Sequence, residues 1–189
     1  MTERRRLQSG VTLVEVLVSI LILGLAMISL AGLQSYTVKY QMGSANRSVL
    51  SMLVSDFAER VRANIEAAPG AVAKVQSPYL YNTDWDGQAD APKAADTDCA
   101  TTVCTDASVL AQWDMASWRQ RVRESLPRGS VQVSGTVQSG LNLTVMWQDN
   151  DYSATPPACA AGQSPADARQ CCPITVPNGV RCANFVIVP

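Results

Sequence analysis

The residue with the most chemistry to offer is Glu15, a lone carboxylate in the apolar run from Val11 to Leu33. On insertion scales an acid at the centre of a spanning helix costs about 2.5–3.5 kcal/mol, so it is kept where it has a partner or a task. The plainer alternatives are a shallow position among headgroups or a protonated state. A second set is Cys99, Cys104, Cys159, Cys171, Cys172 and Cys182. Their even number suits disulfides in an oxidising compartment. Cys99 and Cys104 are near enough in sequence to close a small loop. Adjacent Cys171 and Cys172 seldom bond each other, so they are expected to reach separately to Cys159 and Cys182, with the pairing open. Zinc is disfavoured, because the spacings are wrong and there is no histidine. A third set, Asp84, Asp86, Asp90, Asp96 and Asp98, surrounds Gly87. Clustered carboxylates can bind calcium, but this spacing misses the EF-hand pattern, and a solvated acidic loop is the expected state.

What is missing narrows the chemistry further. Without histidine the usual serine and cysteine triads are excluded. No glycine-rich phosphate loop, nucleophile elbow or pair of catalytic carboxylates stands out. An enzyme is not expected, nor a cofactor or a metal. Two short sequons, Asn46-Arg47-Ser48 and Asn142-Leu143-Thr144, match a glycosylation acceptor. With 15 Lys+Arg against 16 Asp+Glu the net charge is -1, which offers no field for a nucleic acid.

The elements that must position these residues follow from hydrophobic patterning. The 189 residues suit about one domain. Val11 to Leu33 is long enough to cross a bilayer as a helix. Arg4, Arg5 and Arg6 should hold the N-terminus in the cytoplasm and send everything after Leu33 across the membrane. A secretory signal ending at Ser29-Leu30-Ala31 is the competing explanation, but the run is longer than a usual h-region and contains an acid. Beyond Leu33 the pattern turns amphipathic, with Val49, Leu50, Leu53, Val54, Phe57, Val61 and Ile65 at helical spacing. One helix from Val11 to Ala68 would be roughly 85 Å long. Gly70 to about Thr105 reads as a long connecting loop. Asp106 or Ser108 can cap a second helix running to about Leu126. Its expected apolar face is Val109, Leu110, Trp113, Val122 and Leu126, with Trp118 near one edge, and Arg119, Arg121 and Arg123 form a solvated basic end. Val131 to Trp147 alternates as a hairpin with one buried face and a turn at Ser139-Gly140, and Arg181 to Val188 closes with a strand.

Gly10 before the apolar run, with Glu15 the fifth residue after it, resembles the signal of type IV pilins and pseudopilins. The resemblance is strongest over Gly10 to Ala68 and looser through the second helix and the hairpin. It implies cleavage between Gly10 and Val11 by a prepilin peptidase, then methylation of the Val11 amine. Val11 stands where the family usually has Phe or Met. Glu15 takes the acidic position that docks a neighbouring subunit's N-terminal ammonium. Gly24 and Gly32 fit either the family's weak points in the helix or close helix packing.

The implied fold is α+β and pilin-like: a long N-terminal helix packed on an antiparallel β-sheet head, with a second helix and disulfide-bonded loops. The implied organisation is a leader (1–10), a transmembrane half-helix (11–33), an amphipathic half-helix (34–68) and a globular head (69–189). The Cys159 to Cys182 region resembles the family's disulfide-bounded loop that pins the last strand. Within the family the likeness is to minor pilins. Their partners would be other minor pilins, the major pilin, the prepilin peptidase, an inner-membrane assembly platform and a tip adhesin. The location would be the inner membrane with a periplasmic head, then the pilus, at its tip. A type II secretion pseudopilin is the alternative; a DNA-uptake pilin and a membrane-anchored periplasmic enzyme fit less well.

Overall fold

The computed structural model describes residues 12–70, 76–160 and 168–189. Along the chain lie α1 (Leu13–Ala63), 3-10 turns at Ile65–Ala67 and Asp86–Gln88, α2 (Ala107–Ser125), β1 (Ser130–Thr136), β2 (Gly140–Gln148) and β3 (Val180–Ile187). With its antiparallel sheet and three disulfides, this is the α+β, pilin-like architecture anticipated from the sequence. The chain divides into two compact units, Met1–Ser44 and Ala45–Pro189, with the boundary inside α1.

In the first unit the described residues form one helix, and all of them are exposed. Its hydroxyls do not seek outside partners. Ser19 donates to the Glu15 carbonyl at 2.7 Å, Ser29 to Leu25 at 3.1 Å and Thr37 to Leu33 at 2.9 Å. These three hydroxyls are thus satisfied within the helix, as a hydrocarbon setting requires. A Cβ at Gly24 or Gly32 would meet nothing within 4 Å, so no contact within the chain requires either glycine.

In the second unit the later turns of α1 bury Leu50, Leu53, Phe57 and Val61, which recur along one stripe. The helix stops at Ala63, short of the expected Ala68. Asn64 leaves helical geometry at φ -128°, ψ 53°, and Ala68 is extended at φ -68°, ψ 150°, as the residue before Pro69 should be. In α2 the buried stripe is Ala111, Asp114, Met115, Trp118 and Val122. It is rotated from the expected face: Trp118 is at its centre, fully buried, while Trp113 is only partly covered. Phe57 packs on Trp118 with ring centroids 4.6 Å apart, and the indole Nε1 donates to the Leu53 carbonyl at 3.0 Å. After α2 the chain turns through Arg128, at φ 52°, and Gly129, where a Cβ would lie 2.3 Å from the Val122 carbonyl oxygen.

The sheet has the order β1-β2-β3, antiparallel throughout, with Val131 opposite Val145 and Met146 opposite Cys182. One face, with Val131, Val133, Leu141, Leu143, Val145 and Ile187, joins the helices in the main core. The other face was expected to be open, but part of it is covered. Met146, Val180 and Cys182 pack there with Trp85, Cys172 and Val176 in a second cluster. That is why Thr144 to Trp147 are buried without alternation. The segment expected to be a plain connecting loop contributes to both clusters. Tyr79 and Trp85 are buried, and Tyr81 bridges to Val133 with hydrogen bonds of 3.0 and 2.7 Å.

Candidate functional site

Of the residues expected to act, Gly10 and Val11 lie outside the described residues, as does the Arg4 to Arg6 run. Glu15 sits in the first turn of α1. Its backbone N–H donates to the Thr12 carbonyl at 3.1 Å and approaches Thr12 Oγ1 at 3.4 Å. Thr12 thus takes the position of an N-cap, and Glu15 is the third helical residue. A carboxylate there lies at the positive end of the helix macrodipole. Around it every large side chain is apolar and exposed, from Leu13 at 76% to Leu33 at 68%. Among the described residues α1 alone is long and apolar enough to cross a membrane, with a mean hydropathy of 2.7 over its most apolar window.

The six cysteines are all paired. Cys99 bonds Cys104, Cys159 bonds Cys171, and Cys172 bonds Cys182, which resolves the connectivity left open by the sequence. Cys172–Cys182 staples the segment before β3 to the strand itself, and Cys159–Cys171 closes a loop just ahead of it. Asn184, in β3, adds a clamp: its side-chain amide donates to the carbonyls of Ala168 at 2.7 Å and Cys171 at 2.8 Å. The resulting hold on the last strand is the feature that the resemblance implied.

The acidic residues of the 84–98 loop work locally. Asp84 Oδ1 accepts the Gly87 N–H at 2.7 Å, and Asp98 Oδ1 accepts from Ala100 N at 2.9 Å and from Trp113 Nε1 at 3.1 Å. Among the described residues no three metal-ligating side chains come together.

The arginines of α2 do not form a solvated end. Arg119 stacks over the Tyr81 ring at 3.7 Å, and burial pulls its pKa down. Arg121 pairs with Asp56 at 2.9 Å, and Arg123 donates to the carbonyls of Gln88 and Ala89. They tie the helix to its neighbours, so no free basic surface is left there.

One polar cluster was not foreseen. Asp114, only 7% exposed, accepts from Arg60 at 2.9 Å and from the Tyr79 hydroxyl at 2.9 Å. Arg60 also reaches Asp56 at 3.1 Å, and Asn64 donates to Tyr79 at 3.3 Å and to the Ala107 carbonyl at 2.8 Å. Burial raises the Tyr79 pKa, and the hydrogen bond to Asp114 adds to the shift. The cluster joins α1, α2 and the intervening loop. Its hydrogen bonds tie these three elements to one another. The only signal in the sequence was an acid, Asp114, three residues after Ala111 and four before Trp118 on an otherwise apolar stripe.

Residues 5–31 match the family of the prokaryotic N-terminal methylation motif. No curated protein and no solved structure matches the chain. The matched stretch contains Gly10, Val11 and Glu15. The match supports a type IV pilin-like or pseudopilin-like signal, and with the apolar first half of α1 it fits a membrane anchor.

Proposed function

We propose, from an N-terminus that carries the methylation motif of type IV pilins and pseudopilins, that this chain is a minor pilin that helps to prime type IV pilus assembly. Within that family we read it as similar to type IV pilus modification protein V, PilV. The observation that carries the reading is Glu15, in the first turn of a helix whose other large residues are apolar and exposed, inside the matched segment.

In this reading the prepilin peptidase cuts between Gly10 and Val11 and methylates the new amine, which stays cationic. In an apolar bundle a carboxylate needs a partner, and the neighbouring subunit's terminal ammonium supplies one for Glu15. The first subunits of a filament have no such neighbours, so nucleation is costly. A preformed cluster of minor pilins in the inner membrane lowers that barrier. The role is structural, not catalytic: the anchor packs, Glu15 docks and the periplasmic head selects partners. After assembly the cluster stays at the pilus tip, where it can carry an adhesin and support adhesion and twitching motility.

The first test is the intact mass and N-terminal sequence of the protein from its native membrane. The expected chain starts at Val11, with a methyl group on its amine. A start at Met1 or near Gly32 overturns the filament reading. Partner capture then separates a pilus subunit, which should bring down other pilins, from a type II secretion pseudopilin, which shares the same N-terminal signal.

A further inference from the structure

Between the end of α1 and the start of α2 the head has a depression of about 280 Å³, lined in part by Ile65, Glu66, Cys104, Asp106, Ala107 and Leu110. That is just below the usual range for small-molecule pockets, roughly 300–1,000 Å³, and suits a single long side chain. Its lining joins two chemistries. Ile65, Ala107 and Leu110 are apolar, and Ile65 is 44% exposed. Glu66 and Asp106 are exposed carboxylates, and among the described residues no lysine or arginine lines the site.

The groups nearby, among the described residues, do not neutralise this charge. Among the described residues Glu66 has no ion-pair partner. Asp106 uses Oδ1 to cap α2, accepting from Ser108 N at 2.7 Å and Val109 N at 3.1 Å. The helix N-terminus offsets only about half a charge, against two carboxylates. The amide of Asn64 is already spent on Tyr79 and Ala107. The wall is also held in place: the Cys99–Cys104 bond closes its turn, which Asp98 fastens to Trp113. On that turn Val103 stands 87% exposed.

We infer that this depression docks a lysine or arginine side chain of a neighbouring subunit, the alkyl stem on Ile65 and Leu110 and the cation between Glu66 and Asp106. Long basic side chains lay their methylenes on apolar surface while the charged head stays at a polar rim, which is the division that the lining offers. The source of that side chain rests on the filament reading above; the chemistry of the site does not.

The test uses the full chain in detergent micelles, with the methyl groups of Ile65 and Leu110 followed by NMR. The probes are n-butylammonium and n-butylguanidinium, with n-butanol as the neutral control. The cations should give saturable shifts at both residues, with at least a threefold weaker midpoint in Glu66→Gln/Asp106→Asn. Asparagine still caps a helix well, so that variant keeps α2. Equal shifts from n-butanol, equal binding by the variant, or no shift at all overturns the inference. In cells, Glu66→Lys should be cut at Gly10–Val11 as usual yet lose at least fivefold in cross-linking to other pilins. Unchanged cross-linking overturns the neighbouring-subunit assignment. A chain that is not cut at all instead overturns the filament reading, while the probe titration still decides the site.

Discussion

A carboxylate is compatible with an apolar helix only while its charge is shared, and Glu15 is the one acid between Val11 and Leu33. Glu15→Ala removes the one charged group of the apolar run and, in the proposed minor-pilin role, the group that docks the subunit. The expected result is normal cleavage at Gly10–Val11 and a fall of tenfold or more in sheared filaments relative to membranes, read by immunoblot. Tyr79 makes a different prediction. Its folded pKa is raised above the ordinary tyrosine value of about 10. The stability that it contributes is whole below about pH 10 and is lost as pH rises further, because the unfolded chain ionises first. Tyr79→Phe should cost about 1–3 kcal/mol at neutral pH by stranding Asp114 and Asn64. That gap should narrow above pH 10, by up to about 1.4 kcal/mol per pH unit, in calorimetry across an alkaline series. Glu15 was legible because it interrupts an apolar run. Asp114 was not, because a residue's type does not reveal that Arg60 and Tyr79 will meet it from 54 and 35 positions away.

Periodicity placed the elements well and their faces less well. The second helix begins at Asp106, one of the two expected caps, and ends next to Leu126. Its inward stripe is set by Trp118, which α1 engages through Phe57 and the Leu53 carbonyl. Aromatic rings at positions 113 and 118 gave two plausible faces, and only packing against α1 chooses between them. Trp118→Ala should therefore cost about 3–5 kcal/mol, whereas Trp113→Ala, which loses one hydrogen bond to Asp98, should cost much less. Differential scanning calorimetry of the two variants checks the order. The end of α1 was misplaced for a local reason: Asn64 turns its amide to Tyr79 and Ala107, and Pro69 forces Ala68 to be extended.

At the scale of the molecule, an even cysteine count revealed that disulfides would form, and not which ones. The Cys172–Cys182 pairing depends on Cys172, Ile174 and Val176 packing over Met146 and Val180, where irregular chain covers a sheet face without any repeating pattern to announce it. Losing the Cys172–Cys182 bond in Cys172→Ser/Cys182→Ser should cost about 2–4 kcal/mol and loosen that cluster. Cys99→Ser/Cys104→Ser should cost less, since it opens a shorter loop. Thermal unfolding of both double variants tests the ranking. One further property follows from where the indoles lie. Trp85, Trp113, Trp118 and Trp147 all belong to the Ala45–Pro189 unit, and none lies in the apolar segment. Tryptophan fluorescence, excited beyond the tyrosine band, therefore reports on the head alone, even with the anchor in lipid. The protein carries its own optical probe for whether its disulfide-bonded unit is folded while the apolar segment is embedded.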